Sequence, residues 1–218
     1  MKGLFVTGTD TGVGKTVLSA ALLLRYRKVA RLRYWKPIQT GIELDDDTAE
    51  VQRLALAGDV EILNEGIRLQ CPVSPHLAAK WAGMTIDLDR LRGLLPESRD
   101  MAWIIEGAGG ALVPLNDTRM IVDFIAMLRV PALIAARSGL GTINHTSLTV
   151  EALRSRSVPI AGVVMIGEPN ADNAEAIEHY AQVPVIAQIP RIDPLTSASL
   201  ASWTVANFDP QRRLNEFF

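Results

Sequence analysis

The stretch that decides the fold runs over residues 8–16 and reads Gly8-Thr9-Asp10-Thr11-Gly12-Val13-Gly14-Lys15-Thr16. A short apolar run at residues 4–7 precedes it, and apolar residues at helical spacing follow at residues 17–26. A phosphate-binding loop needs small residues, a helix N-terminus behind them, a lysine for the outer phosphates and a hydroxyl for Mg²⁺. All of these parts are present in strand–loop–helix order, so the stretch predicts a nucleotide-binding loop.

The spacing of this loop departs from the usual G-x-x-x-x-G-K-[ST] pattern by one residue. Thr9 stands where the first glycine is expected, and the glycine lies one position earlier, at Gly8. The alternative interpretation is a glycine-rich turn followed by a surface lysine. The complete strand–loop–helix context favours the nucleotide interpretation.

Composition narrows the class of protein. The 218 residues carry 22 basic and 24 acidic side chains, and the net charge of −2 excludes a broad basic face for nucleic acid or a polybasic membrane anchor. The one cysteine, Cys71, excludes an internal disulfide and a cysteine-based metal cluster. We expect Cys71 to be buried and inert, since no basic neighbour favours a thiolate. The N-terminus shows no signal-peptide pattern, and we expect a cytoplasmic protein.

Apolar runs typical of strands alternate with segments of helical period along the chain, which predicts a mostly parallel sheet covered by helices. The connections are short and no linker or repeat separates the halves, so we predict a single domain over residues 1–218. The predicted strands are residues 4–7, 29–35, 102–106, 132–136, 160–166 and 183–189, and the predicted helices are residues 17–26, 47–57, 75–82, 121–128, 142–154, 170–181 and, more weakly, 195–205.

Glu106 is a candidate for the carboxylate that a triphosphate loop needs to hold Mg²⁺. It ends an apolar strand and precedes Gly107-Ala108-Gly109-Gly110. A charged residue there faces the crevice at the carboxyl ends of parallel strands, where such sheets bind ligands. Asp45-Asp46-Asp47 offers a second acidic source, although such a run is equally typical of a solvated loop or a helix start. Spacing alone leaves this choice open.

Five stretches carry a family resemblance when they are taken together: residues 8–16, Lys36-Pro37-Ile38-Gln39-Thr40-Gly41, Ser74-Pro75-His76, Glu106-Gly107-Ala108-Gly109-Gly110-Ala111-Leu112-Val113-Pro114-Leu115 and Gly139-Leu140-Gly141-Thr142-Ile143-Asn144-His145. In this order they resemble the dethiobiotin synthetase family. Each motif is weak alone, but their combination is highly specific. The similarity covers residues 8–145 and continues more weakly to about residue 192.

The resemblance implies a three-layer α/β fold of the P-loop NTPase type, with a mostly parallel sheet and helices on both faces, and a homodimer. It implies a ligase that closes a cyclic urea on 7,8-diaminopelargonic acid with CO₂, ATP and Mg²⁺, in the penultimate step of biotin synthesis. In such a reaction a carbamate oxygen attacks the γ-phosphate of ATP, and the second amine then closes the ring and expels phosphate. Catalysis then consists mainly of positioning and of neutralising negative charge.

Residue roles follow from the resemblance, position by position. Lys15 and Lys36 are the expected catalytic residues, with Lys15 on the outer phosphates and Lys36 between carbamate and γ-phosphate. The expected metal positions are Thr16, Asp47 and Glu106. The expected nucleotide-binding residues are Gly12, Val13, Gly14, Lys15, Thr16, Val17, Asp47, Glu106, Gly107, Ala108, Gly109, Pro190, Arg191 and Ile192. The expected substrate-binding residues are Thr11, Lys36, Thr40, Gly109, Gly110, Gly141, Thr142, Ile143 and Asn144, of which the last four would bind the distal carboxylate of a substrate held mainly by the other subunit.

Some features of the family do not transfer. Many members have an asparagine that reads adenine just after the strand at residues 160–166, where this chain has Ile166 and Gly167. Isoleucine cannot hydrogen-bond a base edge, so other nucleoside triphosphates remain open as co-substrates. Gly12 stands where some relatives have an acidic side chain. The setting of His76 suggests that it shapes the diamine pocket, and His145 and His179 are interpreted as structural.

Other P-loop proteins of similar architecture are the alternatives. An ATP-dependent amidase of cobalamin synthesis would need a glutamine-hydrolysing domain with a nucleophilic cysteine, and 218 residues with one cysteine leave no room for it. A partitioning-type ATPase would carry an additional lysine early in the loop, where this chain has Thr9, Asp10 and Thr11. A regulatory nucleotide-binding module is disfavoured by Lys36 and Thr40.

Overall fold

The computed structural model describes residues 1–96 and 100–218 of the chain. Its strands are β1 (Lys2–Gly8), β2 (Leu32–Trp35), β3 (Ile38–Thr40), β4 (Ile62–Leu63), β5 (Ile67–Leu69), β6 (Ala102–Gly110), β7 (Ala132–Arg137), β8 (Ile160–Ile166) and β9 (Val185–Ile189). Its α-helices are α1 (Lys15–Tyr26), α2 (Asp47–Ala55), α3 (Pro75–Trp81), α4 (Leu88–Gly93), α5 (Ile121–Leu128), α6 (Thr142–Arg154), α7 (Ala171–Ala176) and α8 (Ser197–Asn207). Short 3₁₀ turns lie at Asp59–Glu61 and Asn215–Phe217.

A twisted parallel sheet of seven strands organises the described residues, in the order β4-β2-β6-β1-β7-β8-β9. The central strand β1 lies between β6 and β7. Its side chains alternate between the two faces, so Phe5 packs in one core while Leu4 and Val6 pack in the other. A strand that is buried on both faces must be continuously apolar, which explains the sequence pattern of β1.

Helices cover both faces of this sheet. Phe124 of α5 meets Phe5 edge-to-face on one side, with ring centroids 6.4 Å apart, and α6 packs on the same face. On the other side α1 packs against β1 and β6, and α2 and α8 pack against α1. The predicted three-layer α/β fold with a mostly parallel sheet is therefore confirmed. The carboxyl ends of β1, β2 and β6 meet at one edge, where such sheets bind ligands.

Several predicted elements match closely and others need correction. The helices at residues 121–128 and 142–154 and the strand at residues 160–166 have the predicted bounds. The strand predicted from residue 29 begins at Leu32, because Val29 and Ala30 close a turn by donating to the carbonyl of Tyr26. The helix predicted over residues 170–181 changes to a π-helix at Ile177–Ala181.

Some elements were missed in the sequence. Strands β3 and β5 pair in parallel as a small separate sheet, and helix α4 begins after Asp87, whose carboxylate caps it by accepting from the amides of Asp89 and Arg90. These elements have between three and six residues, too short for periodicity to mark them. The weakly predicted C-terminal helix is present as α8, with Thr196 as its N-cap.

Two further findings concern membrane-spanning helices and the one cysteine. Among the helices of the described residues, none combines the length and the apolar character that a membrane crossing requires. Cys71 is half-buried against the core, so the prediction of a buried thiol was wrong, while its inertness stays a prediction. It lies in the loop between β5 and α3, which covers the core from outside.

Candidate active site

The loop between β1 and α1 presents a helix N-terminus to the crevice. Gly14 adopts a left-handed conformation, with φ of 91°, and α1 begins directly after it at Lys15. Among the described residues no side chain caps this helix, so its first N–H groups remain available to an anion. Gly8 is needed for a different reason, because a Cβ there would lie 2.8 Å from the carbonyl oxygen of Asp10 and 3.2 Å from Nζ of Lys15.

Lys15 folds back over its own loop. Its Nζ donates to the carbonyl of Asp10 at 3.1 Å, and the residue is 7% exposed. Burial lowers the pKa of Lys15 to about 8, and the nearby charge of Lys36 lowers it further, while the carboxylates of Glu106, Asp47 and Asp10 oppose the shift. An anion seated on the loop would offset this burial and favour the charged lysine.

Lys36 lies between the two carboxylates that the resemblance assigns to a metal. It follows β2 directly, and Trp35 pairs with Ile105, so Lys36 comes alongside Glu106 on the neighbouring strand. Its Nζ lies 2.9 Å from Oε1 of Glu106 and 2.5 Å from Oδ2 of Asp47. The lysine is 2% exposed and the glutamate is fully buried. The sheet register therefore forms a buried ion pair at the edge of the loop.

These buried charges shift each other's proton affinity. Burial alone would lower the pKa of Lys36, but the carboxylates of Glu106 and Asp47 outweigh it and raise that pKa above its usual value. Burial alone would raise the pKa of Asp47, but the charge of Lys36 and the hydrogen bonds from Lys36 and Thr16 hold it below the usual value. The ammonium and the carboxylate therefore stay charged at neutral pH.

Glu106 also accepts from hydroxyl groups on two other elements. Ser19 donates to Oε2 at 2.7 Å and Tyr34 donates to the same oxygen at 3.1 Å, while Thr16 approaches Oε1 at 3.3 Å and donates to Oδ1 of Asp47 at 2.6 Å. Burial, followed by the charge of Glu106, raises the pKa of Tyr34 well above its usual value. Neither Ser19 nor Tyr34 was predicted as a site residue.

The sequence spacing of Ser19 and Tyr34 from predicted site residues could have indicated both of them. Ser19 lies three positions after Thr16, so both hydroxyls lie on one face of α1. Tyr34 lies two positions before Lys36 and therefore points to the same face of the chain. Neither spacing has meaning until Glu106 is known to lie beside them.

A cavity of about 610 Å³ joins the loop to these charged groups. Of the predicted site residues, those that line it are Thr11, Gly12, Gly14, Lys15, Thr16, Val17, Lys36, Thr40, Asp47, Glu106, Ala108 and Gly109. Residues that were not predicted also line it, among them Gln39, Leu44, Pro72 and Val113. A larger cavity of about 1030 Å³ lies near α4 and the loop at residues 116–119, away from the phosphate loop.

The other predicted residues are absent from the described lining of this cavity. Val13 is buried in the core, and the carbonyl of Gly107 accepts from Nζ of Lys36 at 3.0 Å. Gly110 lines a neighbouring cavity of about 290 Å³ together with Thr11 and His145. Two further groups of predicted residues are absent from the described lining of the 610 Å³ cavity at the phosphate loop. They are Gly141, Thr142, Ile143 and Asn144 at the start of α6, and Pro190, Arg191 and Ile192 after β9.

Two sequence interpretations are refined by the geometry. Ile166 packs on the phosphate loop, and its Cδ1 lies 2.8 Å from the position that a Cβ of Gly14 would take. His76 is exposed, with Nδ1 3.1 Å from the hydroxyl of Ser74, and among the described lining residues of the cavity it is absent while Ser74 and Pro75 are present. His76 therefore lies outside the described lining of this cavity, and its role in shaping the diamine pocket stays a prediction.

The donor set suits a hard divalent cation. Asp47 and Glu106 each place an oxygen atom against the ammonium of Lys36, so the site already holds a positive charge there. The hydroxyl of Thr16 contacts both carboxylates. Among the described residues no group of three or more His, Cys, Asp or Glu side chains could hold a metal. Magnesium is commonly held by one or two carboxylates with water and substrate phosphates, so the residues fit Mg²⁺ bound together with a nucleotide.

A glycine-rich loop at a free helix N-terminus, a buried lysine inside it and a hydroxyl beside paired carboxylates define a P-loop nucleotide-binding protein. The sequence model of a family described as "AAA domain" matches residues 2–199. An ATP-dependent dethiobiotin synthetase BioD from Brucella melitensis is 45% identical over 205 residues, which cover 94% of this chain and 93% of the relative. The chain belongs to the dethiobiotin synthetase family.

Further relatives extend the comparison. The biotin biosynthesis bifunctional protein BioCD from Bordetella avium is also 45% identical, over 204 residues, and this chain spans 42% of the length of that relative. Solved structures with the same fold include a ParA family ATPase from Chlorobium tepidum, with a TM-score of 0.56 and 10% identity, covering 94% of this chain and 98% of that one. A MinC:MinD cell division complex from Aquifex aeolicus gives a TM-score of 0.58 at 11% identity, covering 94% of this chain and 95% of that one.

Proposed function

We propose that the protein is an ATP-dependent dethiobiotin synthetase that closes a cyclic urea on 7,8-diaminopelargonic acid with CO₂, giving dethiobiotin, ADP and phosphate in biotin biosynthesis. Membership of the family supports the reaction. The structural observation that carries it is the presence of two buried lysines, Lys15 and Lys36, in the lining of one cavity. A carbamate and a γ-phosphate are both anionic, and two cations in one cavity would bring them together.

The nucleotide is proposed to bind along the phosphate loop. The N–H groups at the start of α1 and the ammonium of Lys15 would hold the phosphates, with Gly12 to Val17 as the cradle. Backbone groups of Gly107, Ala108 and Gly109 and of Pro190, Arg191 and Ile192 would complete the nucleotide site. The uncapped helix N-terminus supports this assignment.

Thr16, Asp47 and Glu106 are proposed to hold Mg²⁺ together with phosphate oxygens. The bound ion would neutralise charge on the transferring phosphoryl group. The side chains would in turn fix the position of the phosphates relative to the loop. Lys36 would then face the reacting oxygens with its ammonium group.

The reaction proceeds in three bond-forming steps in this proposal. One amine of the substrate takes up CO₂ as a carbamate and releases a proton, and a carbamate oxygen attacks the γ-phosphorus, which breaks the bond to ADP. The second amine then attacks the carbonyl carbon of the mixed anhydride, loses its proton and expels phosphate. Lys36 would stabilise the carbamate and the γ-phosphate as charge shifts between them, while Thr11, Thr40 and the amides of Gly109 and Gly110 would orient the diamine.

The active site is proposed to be composite in a homodimer. Gly141, Thr142, Ile143 and Asn144 begin α6, and the free end of such a helix attracts the distal carboxylate of a substrate bound by the other copy. Exposed leucines near the loop support an interface between copies. Leu112 and Leu148 are 53% and 55% exposed and line the small cavity beside Thr11, and Leu140 precedes α6 fully exposed.

The single-domain organisation of residues 1–218 and a cytoplasmic location complete the proposal. Both rest on composition and on the absence of a linker in the sequence. They agree with an enzyme that takes its substrates from the pool of small metabolites.

Product formation tests this function directly. The protein is incubated with the diamine, bicarbonate, Mg²⁺ and ATP, and dethiobiotin is detected by mass spectrometry together with ADP. We expect one ADP for each dethiobiotin, and neither product when the diamine is left out. ATP hydrolysis that continues equally well without the diamine, and without formation of dethiobiotin, would reject the ligase. Carbon-13 bicarbonate supplies a control, because the label must appear in the ureido carbonyl.

A further inference from the structure

We propose that Tyr34 and Ser19 are positioning residues that fix one oxygen of Glu106, so that its other oxygen stays aimed at the metal when Lys36 moves to the substrate. This inference rests on the proposed function, because it assigns Glu106 to Mg²⁺. Neither side chain lies in the five stretches that carry the family resemblance.

The observation is a division of the partners of Glu106 between its two oxygens. Oε2 accepts from the neutral hydroxyls of Ser19 at 2.7 Å and Tyr34 at 3.1 Å. Oε1 faces the ammonium of Lys36 at 2.9 Å and the hydroxyl of Thr16 at 3.3 Å. Neutral hydroxyl donors therefore hold Oε2, while Lys36 and Thr16, which belong to the proposed reaction site, contact Oε1.

The division has a physical consequence for a buried carboxylate. Glu106 is fully buried, and an ionised carboxylate in such a place requires hydrogen bonds to remain stable. When Lys36 turns toward a carbamate, it withdraws a charged donor from Oε1, and Mg²⁺ would replace it there. Oε2 keeps its hydroxyl partners throughout this exchange. The carboxylate plane therefore stays oriented, which keeps the metal position formed in advance.

Tyr34 is well placed for this role. It lies in β2, where it pairs with Ile104, two residues before Glu106 on the adjacent strand. Its ring is fully buried in the core on the side of α1, so packing fixes the position of the hydroxyl. Ser19 approaches the same oxygen from α1, one turn after Thr16. The strand and the helix thus hold Glu106 from two directions.

The test measures binding, which needs no turnover. A non-hydrolysable ATP analogue, β,γ-imido ATP, is titrated calorimetrically into the wild-type protein and Tyr34→Phe, once with a chelator and once with Mg²⁺. We expect equal affinity of the two proteins without metal. The gain in affinity that Mg²⁺ gives should be smaller in Tyr34→Phe by about tenfold, since outer partners of metal ligands commonly have effects of this size.

The chain offers a matched control. Tyr26 is another buried tyrosine whose hydroxyl donates to a buried carboxylate, that of Asp209, near the C-terminus. Tyr26→Phe removes the same atom from the same kind of pair outside the site, so both affinities should equal those of the wild type. Ser19→Ala removes the other donor from Oε2 and should reproduce the loss, and it decides the question if Tyr34→Phe does not fold.

The outcomes separate this inference from the proposed function. If Mg²⁺ gives no gain in the wild type, the assigned metal site fails. If the wild type shows the gain and both variants keep it within twofold, Tyr34 and Ser19 do not position Glu106 and the inference is overturned. A loss of affinity that is equal with and without Mg²⁺ also overturns it, because the residues would then support the loop in general.

Discussion

The ammonium of Lys36 lies 2.9 Å from Oε1 of Glu106, and both groups are shielded from solvent. This ion pair joins the residue that follows β2 to the middle of the neighbouring strand β6, immediately beside the phosphate loop. A cation that is held there by carboxylates has a defined starting position and can exchange those partners for an anionic substrate.

Replacement of Lys36 by glutamine should separate catalysis from nucleotide binding. We expect turnover in Lys36→Gln to fall by at least about a hundredfold, since the variant loses the charge that stabilises the reacting groups. Affinity for ATP should change little, because Lys15 and the start of α1 hold the phosphates. Steady-state rates and calorimetric titration check the two parts, and Lys80→Gln on the exposed surface of α3 is the matched control. Near-normal turnover in Lys36→Gln would contradict the role assigned to this lysine.

Tyr26 should make stability fall at alkaline pH. Burial and the hydrogen bond to Asp209 raise the pKa of this phenol above its usual value of about 10, so the folded protein keeps a proton that the unfolded chain releases. The stabilisation is complete below about pH 10 and declines above it by up to about 1.4 kcal/mol per pH unit. Urea unfolding of wild type and Tyr26→Phe across this range should show their difference narrowing. A difference that stays constant would refute the assignment.

Nucleobase choice should depend on Ile166. The side chain packs against Gly14 and offers no hydrogen bond to a base, so we expect initial rates with CTP and GTP within about tenfold of the rate with ATP, the range that one missing hydrogen bond gives. Ile166→Asn should raise the preference for ATP, and Ile166→Val serves as the control for lost packing. A strong ATP preference in the wild type would show that adenine is read by other groups.

If each active site is shared between two subunits, mixing two inactive variants that are damaged in different parts of the site should restore activity. Lys15→Met disables the phosphate loop, and Asn144→Asp places a negative charge where the substrate carboxylate is expected, while an acid in the first turn of α6 is favourable for the helix. After the subunits of an equal mixture exchange, about half of the dimers are mixed, and each mixed dimer has one of its two sites with both parts intact. We therefore expect about a quarter of wild-type activity. Mixtures that stay inactive although the subunits exchange would exclude a shared site.

The phosphate loop could be predicted from the sequence because its determinants are local. Gly14, Lys15 and Thr16 follow one another between a strand and a helix, and the same residues form the observed loop. Glu106 was also recognisable, since a charge directly after an apolar run is unusual, although the strand continues past it to Gly110. Asp47 needed the family resemblance, because nothing in a run of three aspartates distinguishes the third.

The remainder of the site depends on how strands align. Tyr34 contacts Glu106 only because β2 pairs with β6 in one particular register, and register is a tertiary property. The β3–β5 pair was missed for a related reason. Ile38 to Thr40 follow Pro37 directly and are too few to show alternation, so their pairing with residues 67–69 becomes visible only in the folded chain.

Transfer of oxygen from bicarbonate to phosphate tests the central claim most directly. The enzyme is given the diamine, ATP, Mg²⁺ and oxygen-18 bicarbonate in short incubations, and the released phosphate is analysed by mass spectrometry. If a carbamate oxygen attacks the γ-phosphate at the site of Lys15 and Lys36, each phosphate formed with dethiobiotin carries one oxygen from bicarbonate. Phosphate whose new oxygen comes from water in every turnover would contradict the account, because ATP would then be hydrolysed without activating the carbamate.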